Sequence, residues 1–275
     1  MERIDDPGDP RLADYRHLND AAARAAAGRD DGVDACTIVE GLVALRVVLE
    51  HGVPLRSVLL TPSRTETLGE LLDGLAGVPV YLAERDVMAG IVGFDLHRGV
   101  LASAVRPVPR LPAEVLSGRR RVVVTQALND HENLGALFRN AAALGVEAVV
   151  LDDRTADPLY RRSVRVSSGW AAVLPHVRVG PLPDGYEPLR DAGFRVVALT
   201  PAAGALDVDR AAASGLLDDP VALVVGAEGP GLTDAAIDGA DAAVRVPMSP
   251  GVDSLNVATS LAVVAAFAAA RRGWT

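Results

Sequence analysis

The sequence predicts an α/β protein whose C-terminal half is a parallel-sheet domain, preceded by a smaller α/β domain. Three observations predict it. Beyond residue 120, short near-continuous Val/Leu runs alternate with helical patterns, as in a parallel sheet covered on both faces. Residues 34–105 carry a shorter strand–helix alternation of their own. Between the two, Arg106-Pro-Val-Pro-Arg-Leu-Pro112 holds three prolines in seven residues, which favours extended backbone and marks a linker. The expected division is an N-terminal extension over 1–33, a small α/β domain over 34–105, a linker over 106–120 and the larger domain over 121–275.

Element by element, residues 1–33 are polar, with an Ala-rich helical stretch around Asp14 to Ala27 that ends at Gly28-Arg-Asp-Asp-Gly32. Cys36–Val39 reads as a strand. Glu40–Glu50 has helical spacing (Leu42, Leu45, Val48, Leu49) and stops at His51-Gly52. Strands follow at Ser57–Leu60, Val78–Leu82 and Val100–Ala104, with helices at Thr65–Leu75 and Val87–Ile91. In the larger domain, strands are predicted at Arg121–Gln126, Ala148–Leu151, Val173–Val177, Arg195–Leu199, Val221–Val225 and Ala243–Val246. Helices are predicted at Gly135–Leu144, Tyr160–Ser167, Glu187–Ala192, Asp209–Ala213, Thr233–Ile237 and Leu255–Ala270.

Composition narrows the function classes. At 275 residues and 49% hydrophobic, the chain can bury at least one full core. Its single cysteine, Cys36, excludes an internal disulfide framework and a cysteine-based zinc site. The acidic, proline-broken start is the opposite of a secretion signal. The apolar run Leu255–Ala270 carries Asn256, Thr259 and Ser260 and is too short for a membrane span. A cytoplasmic protein is expected. The net charge of -9, from 36 Asp+Glu against 27 Lys+Arg, runs against the basic balance of many nucleic-acid binders. Lys is absent, so local basic faces must be built from Arg; candidates are Arg119-Arg120-Arg121 and the set Arg161, Arg162 and Arg165.

Three polar-plus-glycine blocks sit just after predicted strands, where ligands bind in open parallel sheets. The first is Asn133-Leu-Gly-Ala-Leu-Phe-Arg139-Asn140. Asn133 suits a helix N-cap, and Arg139 lies nearly two turns further on; a plain cap and a solvated Arg would also explain the pattern. The second, Gly226-Ala-Glu228-Gly229-Pro-Gly231-Leu232, is not the dinucleotide fingerprint, and it lacks the Lys of a phosphate-binding loop. Its three glycines mean unusual backbone angles or close approach to the main chain. The third runs from Val246-Pro-Met248 through a Pro-Gly loop to Ser254-Leu255-Asn256, where Ser254 could simply cap the last helix. Arg161 and Arg165, four apart on a predicted helix, suit successive phosphates. His131-Glu132 lacks the second His of a zinc protease motif, and no G-x-S-x-G elbow is present.

Together these blocks resemble the SpoU (TrmH-like) branch of the SPOUT RNA methyltransferases, over roughly Val122 to Arg271. A weaker likeness covers Ile38-Val-Glu-Gly-Leu-Val-Ala-Leu and Gly93-Phe-Asp-Leu-His-Arg-Gly-Val-Leu-Ala, similar to the substrate-binding domain that often precedes the catalytic one. The resemblance implies a trefoil-knotted catalytic domain, a homodimer, and methyl transfer from S-adenosylmethionine to a ribose 2'-hydroxyl of ribosomal or transfer RNA. It implies no metal, no DNA and no membrane partner. By the same likeness the cofactor lies against Gly226, Val246, Met248, Ser254 and Leu255. Arg139 is the implied catalytic residue, with Asn133, Glu228 and Asn256 ordering the site. Val246 stands where Ile is common, and Trp170 stands where a smaller residue is usual; the indole could stack on a base or fill core. The alternative is a catalytically silent RNA- or ribosome-binding protein of the same fold.

Overall fold

The apolar strand-like runs sort into two β-sheets in the computed structural model, which describes residues 1–19, 35–69, 71, 74–94 and 99–270. Two units result: Met1–Val108 with Pro158–Val173, and Pro109–Asp157 with Leu174–Thr275.

The first unit holds a five-stranded mixed sheet. Its strands are β1 (Glu2–Arg3), β2 (Cys36–Glu40), β3 (Leu55–Leu60), β4 (Val80–Leu82) and β5 (Val100–Val105), in the order β1-β4-β3-β5-β2. Helix α1 (Leu42–Glu50) follows β2, and α2 (Arg85–Val92) ends on Gly93, whose left-handed φ of 82° a side chain would strain. The segment expected to be an extension belongs to this fold. β1 pairs in parallel with β4, and Ile4, Leu12, Tyr15 and Leu18 are buried in one cluster with Ile38, Leu59 and Leu101. Sparse apolar residues in a polar stretch are enough here, because each reaches the same core. The rest of the helical stretch predicted to Ala27, residues 20–34, lies outside the described residues. So do parts of the helix predicted over Thr65–Leu75, whose residues 65–68 form turns.

Segment 158–173 also belongs to this unit rather than to the larger domain. Helix Arg161–Val166 is held by its own arginines: Arg161 meets Glu40 at 2.7 Å and Arg165 meets it at 3.6 Å. Arg161 also donates to Asn19 at 2.6 Å and lies 4.7 Å from the centre of the Phe94 ring. Trp170 packs edge-on against His51, with ring centres 4.8 Å apart, so the indole is engaged by protein.

The second unit begins with helix Pro112–Leu116, inside the expected linker. Pro112 opens it, where a missing N–H costs nothing, and Val115 and Leu116 enter the core. Seven parallel strands follow: β6 (Arg121–Gln126), β7 (Ala148–Leu151), β8 (His176–Arg178), β9 (Arg195–Leu199), β10 (Leu206–Asp207), β11 (Val221–Gly226) and β12 (Ala242–Arg245). Their order is β10-β12-β9-β11-β6-β7-β8. The short edge strand β10 was not legible, and β8 begins at His176 because Trp170–Val173 is helical. The central strands are buried along their length, which explains their unbroken Val/Leu sequences. Helices α3 (His131–Ala143) and α4 (Val257–Ala270) pack together, and Asn140 Nδ2 donates to the Ala258 carbonyl at 2.9 Å.

The chain runs outward from β6 through β7 to β8, and β11 later enters on the other side of β6. Such a reversal opens a crevice at the carboxyl ends of the strands. The loops after β6, β11 and β12 all leave from that edge. Among the described residues no helix is long and apolar enough to cross a membrane.

Glu40 is nearly buried between two arginines. Removing one partner of such a pair strands the other charge, so Glu40→Ala should lower stability by about 3 kcal/mol. Urea unfolding followed by circular dichroism checks it, and a loss under about 0.5 kcal/mol would contradict the assignment.

Candidate active site

The site is assembled around Asn256. Its Nδ2 donates to Asn133 Oδ1 and to Glu228 Oε1, each at 2.7 Å. Its Oδ1 accepts from the Ala258 and Thr259 N–H groups, at 3.0 and 3.3 Å. A primary amide has two donor hydrogens and one carbonyl, and all are engaged. Asn256 therefore caps α4 while tying it to α3 and to the loop after β11.

This arrangement corrects two expectations about caps. Asn133 is the third residue of α3 and does not cap it. Asp130 does, accepting from the Glu132 and Asn133 N–H groups at 2.8 Å each. That frees the Asn133 side chain for Asn256. Ser254 does not cap α4; it is exposed, with a long 3.5 Å contact to Asp253. Asn140, seven residues after Asn133 and so on nearly the same face, turns toward α4. Arg139 is one residue short of it, rotated by about 100°. Its guanidinium is exposed and makes no hydrogen bond or ion pair with a described residue.

The loop after β11 shapes itself. Gly231 N–H donates to the Ala227 carbonyl at 3.0 Å, and these two residues form an isolated β-bridge. The turn passes through left-handed Gly229 and Gly231, at φ 87° and 69°. A Cβ on Gly226 would collide with the Gly231 main chain, so the missing side chain admits the loop's own backbone. Leu232 anchors the end of the turn in the core. Across the crevice Gln126, at the end of β6, accepts from Thr233 N–H at 2.9 Å and donates to its hydroxyl at 3.2 Å.

The loop after β6 is held by a buried carboxylate that sequence reading missed. Asp152 is 1% exposed, and both its oxygens accept from Ala127 N–H at 3.0 Å. Thr155 Oγ1 donates to Asp152 at 2.6 Å, accepts from Leu128 N–H at 3.2 Å and lies 3.0 Å from Thr125 Oγ1. Arg178 donates to the carbonyls of Asp152, Thr155 and Ala156, at 2.9, 2.8 and 3.2 Å. Ala127 sits at φ 52°, an angle that strains any residue with a Cβ. Strain of this kind survives only where neighbours over-determine it, and here they do.

After β12 the chain leaves the sheet at Val246. Val246 and Met248 are half-buried, while Val252 and Leu255 (38%) are exposed apolar side chains. Within residues 246–255, Val252 N–H donates to the Ser249 carbonyl at 3.1 Å. The loop therefore offers apolar surface next to main-chain donors and acceptors.

Thus Asn133, Glu228 and Asn256 are joined directly, and Gly226, Val246, Met248, Ser254 and Leu255 lie on two loops of one sheet edge. Arg139 stands on α3 without a tether to them. The arginines expected to bind RNA are otherwise engaged: Arg161 and Arg165 hold Glu40, and Arg162, though exposed, also has a partner. Glu40 neutralises the pair that helical spacing had suggested for phosphates. Arg121 is likewise buried against Asp219 at 3.2 Å. Among the described residues no group of three or more His, Cys, Asp or Glu side chains could hold a metal ion.

Comparison with known proteins agrees with this geometry. Residues 120–266 match the SpoU rRNA Methylase family. An uncharacterized tRNA/rRNA methyltransferase of Mycobacterium tuberculosis is 47% identical over 266 residues, 96% of this chain and 90% of that protein. The 23S rRNA (guanosine-2'-O-)-methyltransferase RlmB of Ralstonia nicotianae is 32% identical over 68% of this chain and 75% of its own length. The SpoU methyltransferase AviRb from Streptomyces viridochromogenes, solved in complex with the cofactor AdoMet, superposes with a TM-score of 0.77. It is 25% identical, with 96% of this chain and 99% of that one covered.

Replacing Asn256 separates its two jobs. Asn256→Asp keeps an oxygen for the α4 cap but loses both donations and faces Glu228 with a like charge. Asn256→Ala loses the cap as well, worth about 1 kcal/mol. Thermal unfolding should rank the proteins wild type, then Asp, then Ala if the cap dominates stability. Both variants should lose activity, because both release Glu228.

Proposed function

The chain belongs to the SpoU rRNA methylase family, and we propose that it transfers a methyl group from S-adenosylmethionine to a ribose 2'-hydroxyl of RNA. The observation that supports this reading most is the bridge through Asn256, which gathers three polar residues from distant parts of the chain, one of them on the helix that carries Arg139. The ribose position is carried over from the RlmB likeness. Ribosomal or transfer RNA, a homodimer, the trefoil-knotted threading and a cytoplasmic setting form part of the same proposal.

The residues present fit the cofactor. Val246, Met248 and Leu255 offer apolar surface for a flat heterocycle, and the loop's main-chain groups can read its edges. Gly226 ends β11 and Ser254 follows β12, at the same edge of the parallel sheet. S-adenosylmethionine, when bound, supplies an activated methyl on a sulfonium that is already a good leaving group.

What remains for the protein is to align the hydroxyl and take its proton. A guanidinium holds its proton too tightly to be a good base. Arg139 is better suited to hold the neighbouring phosphate and to stabilise the alkoxide as charge develops. Glu228 has one carboxylate oxygen fixed by Asn256, which leaves the other free to accept a proton. A phosphate oxygen or water could serve in its place. Asn133 keeps Asn256 aimed at Glu228 by accepting its second hydrogen.

Transfer of labelled methyl to unmodified ribosomal and transfer RNA pools tests the reading. Label should enter one pool, and Arg139→Ala should reduce the rate by about 10²–10³-fold while cofactor binding persists. Arg139→Lys with near-full activity would remove the bidentate clamp from the mechanism. Cofactor and RNA binding without any transfer would favour a silent RNA-binding protein of the same fold.

A further inference from the structure

The loop between β7 and segment 158–173 has an unusual construction. Asp152 and Thr155 are buried and fixed at both ends of it, and Ala156 N–H adds a bond to the Leu128 carbonyl at 3.0 Å. Arg178 closes the loop's carbonyls from the other side. Between the fixed ends stand Asp153 and Arg154, both exposed. Arg154 makes no hydrogen bond or ion pair with a described residue.

At this edge Arg178, the last residue of β8, spends its guanidinium on carbonyls of the protein itself. Arg154 is left on a backbone that cannot move away, so holding an anion there orders only the side chain. Its position is also informative. β6 and β7 are paired in register, Thr125 beside Leu151, and adjacent strands lie about 4.8 Å apart. The loop after β6 leads into α3 and Arg139, and the Asp152–Thr155 cluster ties that loop to the one carrying Arg154. Arg154 thus stands, without a partner among the described residues, on a loop cross-linked to the one that leads into α3, at the edge where ligands bind.

We propose that Arg154 contacts a backbone phosphate of the RNA substrate, in addition to any contact made by Arg139. The inference rests on the reading of the chain as an RNA methyltransferase. Planar guanidinium matches phosphate with two parallel hydrogen bonds, and a contact of this kind positions the strand without reading its sequence. Asp153 places a carboxylate next to the contact and moderates its strength.

Equilibrium binding of a fluorescein-labelled RNA hairpin to the full chain, across a series of NaCl concentrations, tests it. Arg154→Ala should weaken binding about tenfold at low salt. It should also lower the slope of log affinity against log salt by about 0.7–1, the share of one lost phosphate contact. Arg154→Lys should keep most of the slope, and Asp153→Asn should bind more tightly than wild type. S-adenosylmethionine affinity, measured in parallel, should stay within about twofold in Arg154→Ala. An unchanged slope, a loss falling on the cofactor instead, or a wild-type protein that does not bind the hairpin would each overturn the proposal. Binding needs no turnover, so an Arg154-dependent slope without methyl transfer would uphold the contact and remove the enzymatic reading.

Discussion

The Asn256 amide is the interaction on which the site depends. Its three hydrogen-bonding functions fix three things at once: the start of α4, the third residue of α3, and the carboxylate of the loop after β11. None of these elements is adjacent in sequence. Asn133 lies 123 residues away, and Glu228 lies 28 away. Only the parallel sheet, with β11 inserted beside β6, brings their loops to one edge. The fold supplies the neighbourhood and one side chain supplies the register.

Within each unit the chain separates charges that hold structure from charges left for a ligand. Glu40, Asp152 and Asp219 are buried acids, each matched to arginines or main-chain N–H groups. Burying a charge is costly unless it is paired, so these partners are fixed. Arg139 and Arg154 are exposed and lack such partners among the described residues. The acidic total of -9 therefore says little about RNA. What matters is which arginines the acids leave free.

Much of this was legible in the sequence. The buried parallel strands announced themselves through unbroken Val/Leu runs, and six of the seven in the larger sheet lie at or within a few residues of their predicted places. The three glycine-and-polar blocks marked the ends of the right strands. Tertiary pairing was less legible. Glu40 looked like the first residue of a helix, yet it closes β2 and neutralises Arg161 from 121 residues away. Asn133 read as the cap of α3, yet Asp130, a residue type equally suited to that place, takes it. Asp152 stood in an ordinary acidic turn, and nothing in its neighbours signalled that it would be buried. Ile4, Leu12, Tyr15 and Leu18 were too widely spaced to show periodicity, so an integral part of the first core read as an extension.

The position of the methyl group tests the central claim most directly. RNA labelled by the enzyme with S-adenosylmethionine would be hydrolysed in alkali, which needs a free 2'-hydroxyl to cleave the neighbouring phosphodiester. Methylation at the ribose predicts that the label survives in alkali-stable dinucleotides. Label recovered in mononucleotides would place the methyl on a base and contradict the account.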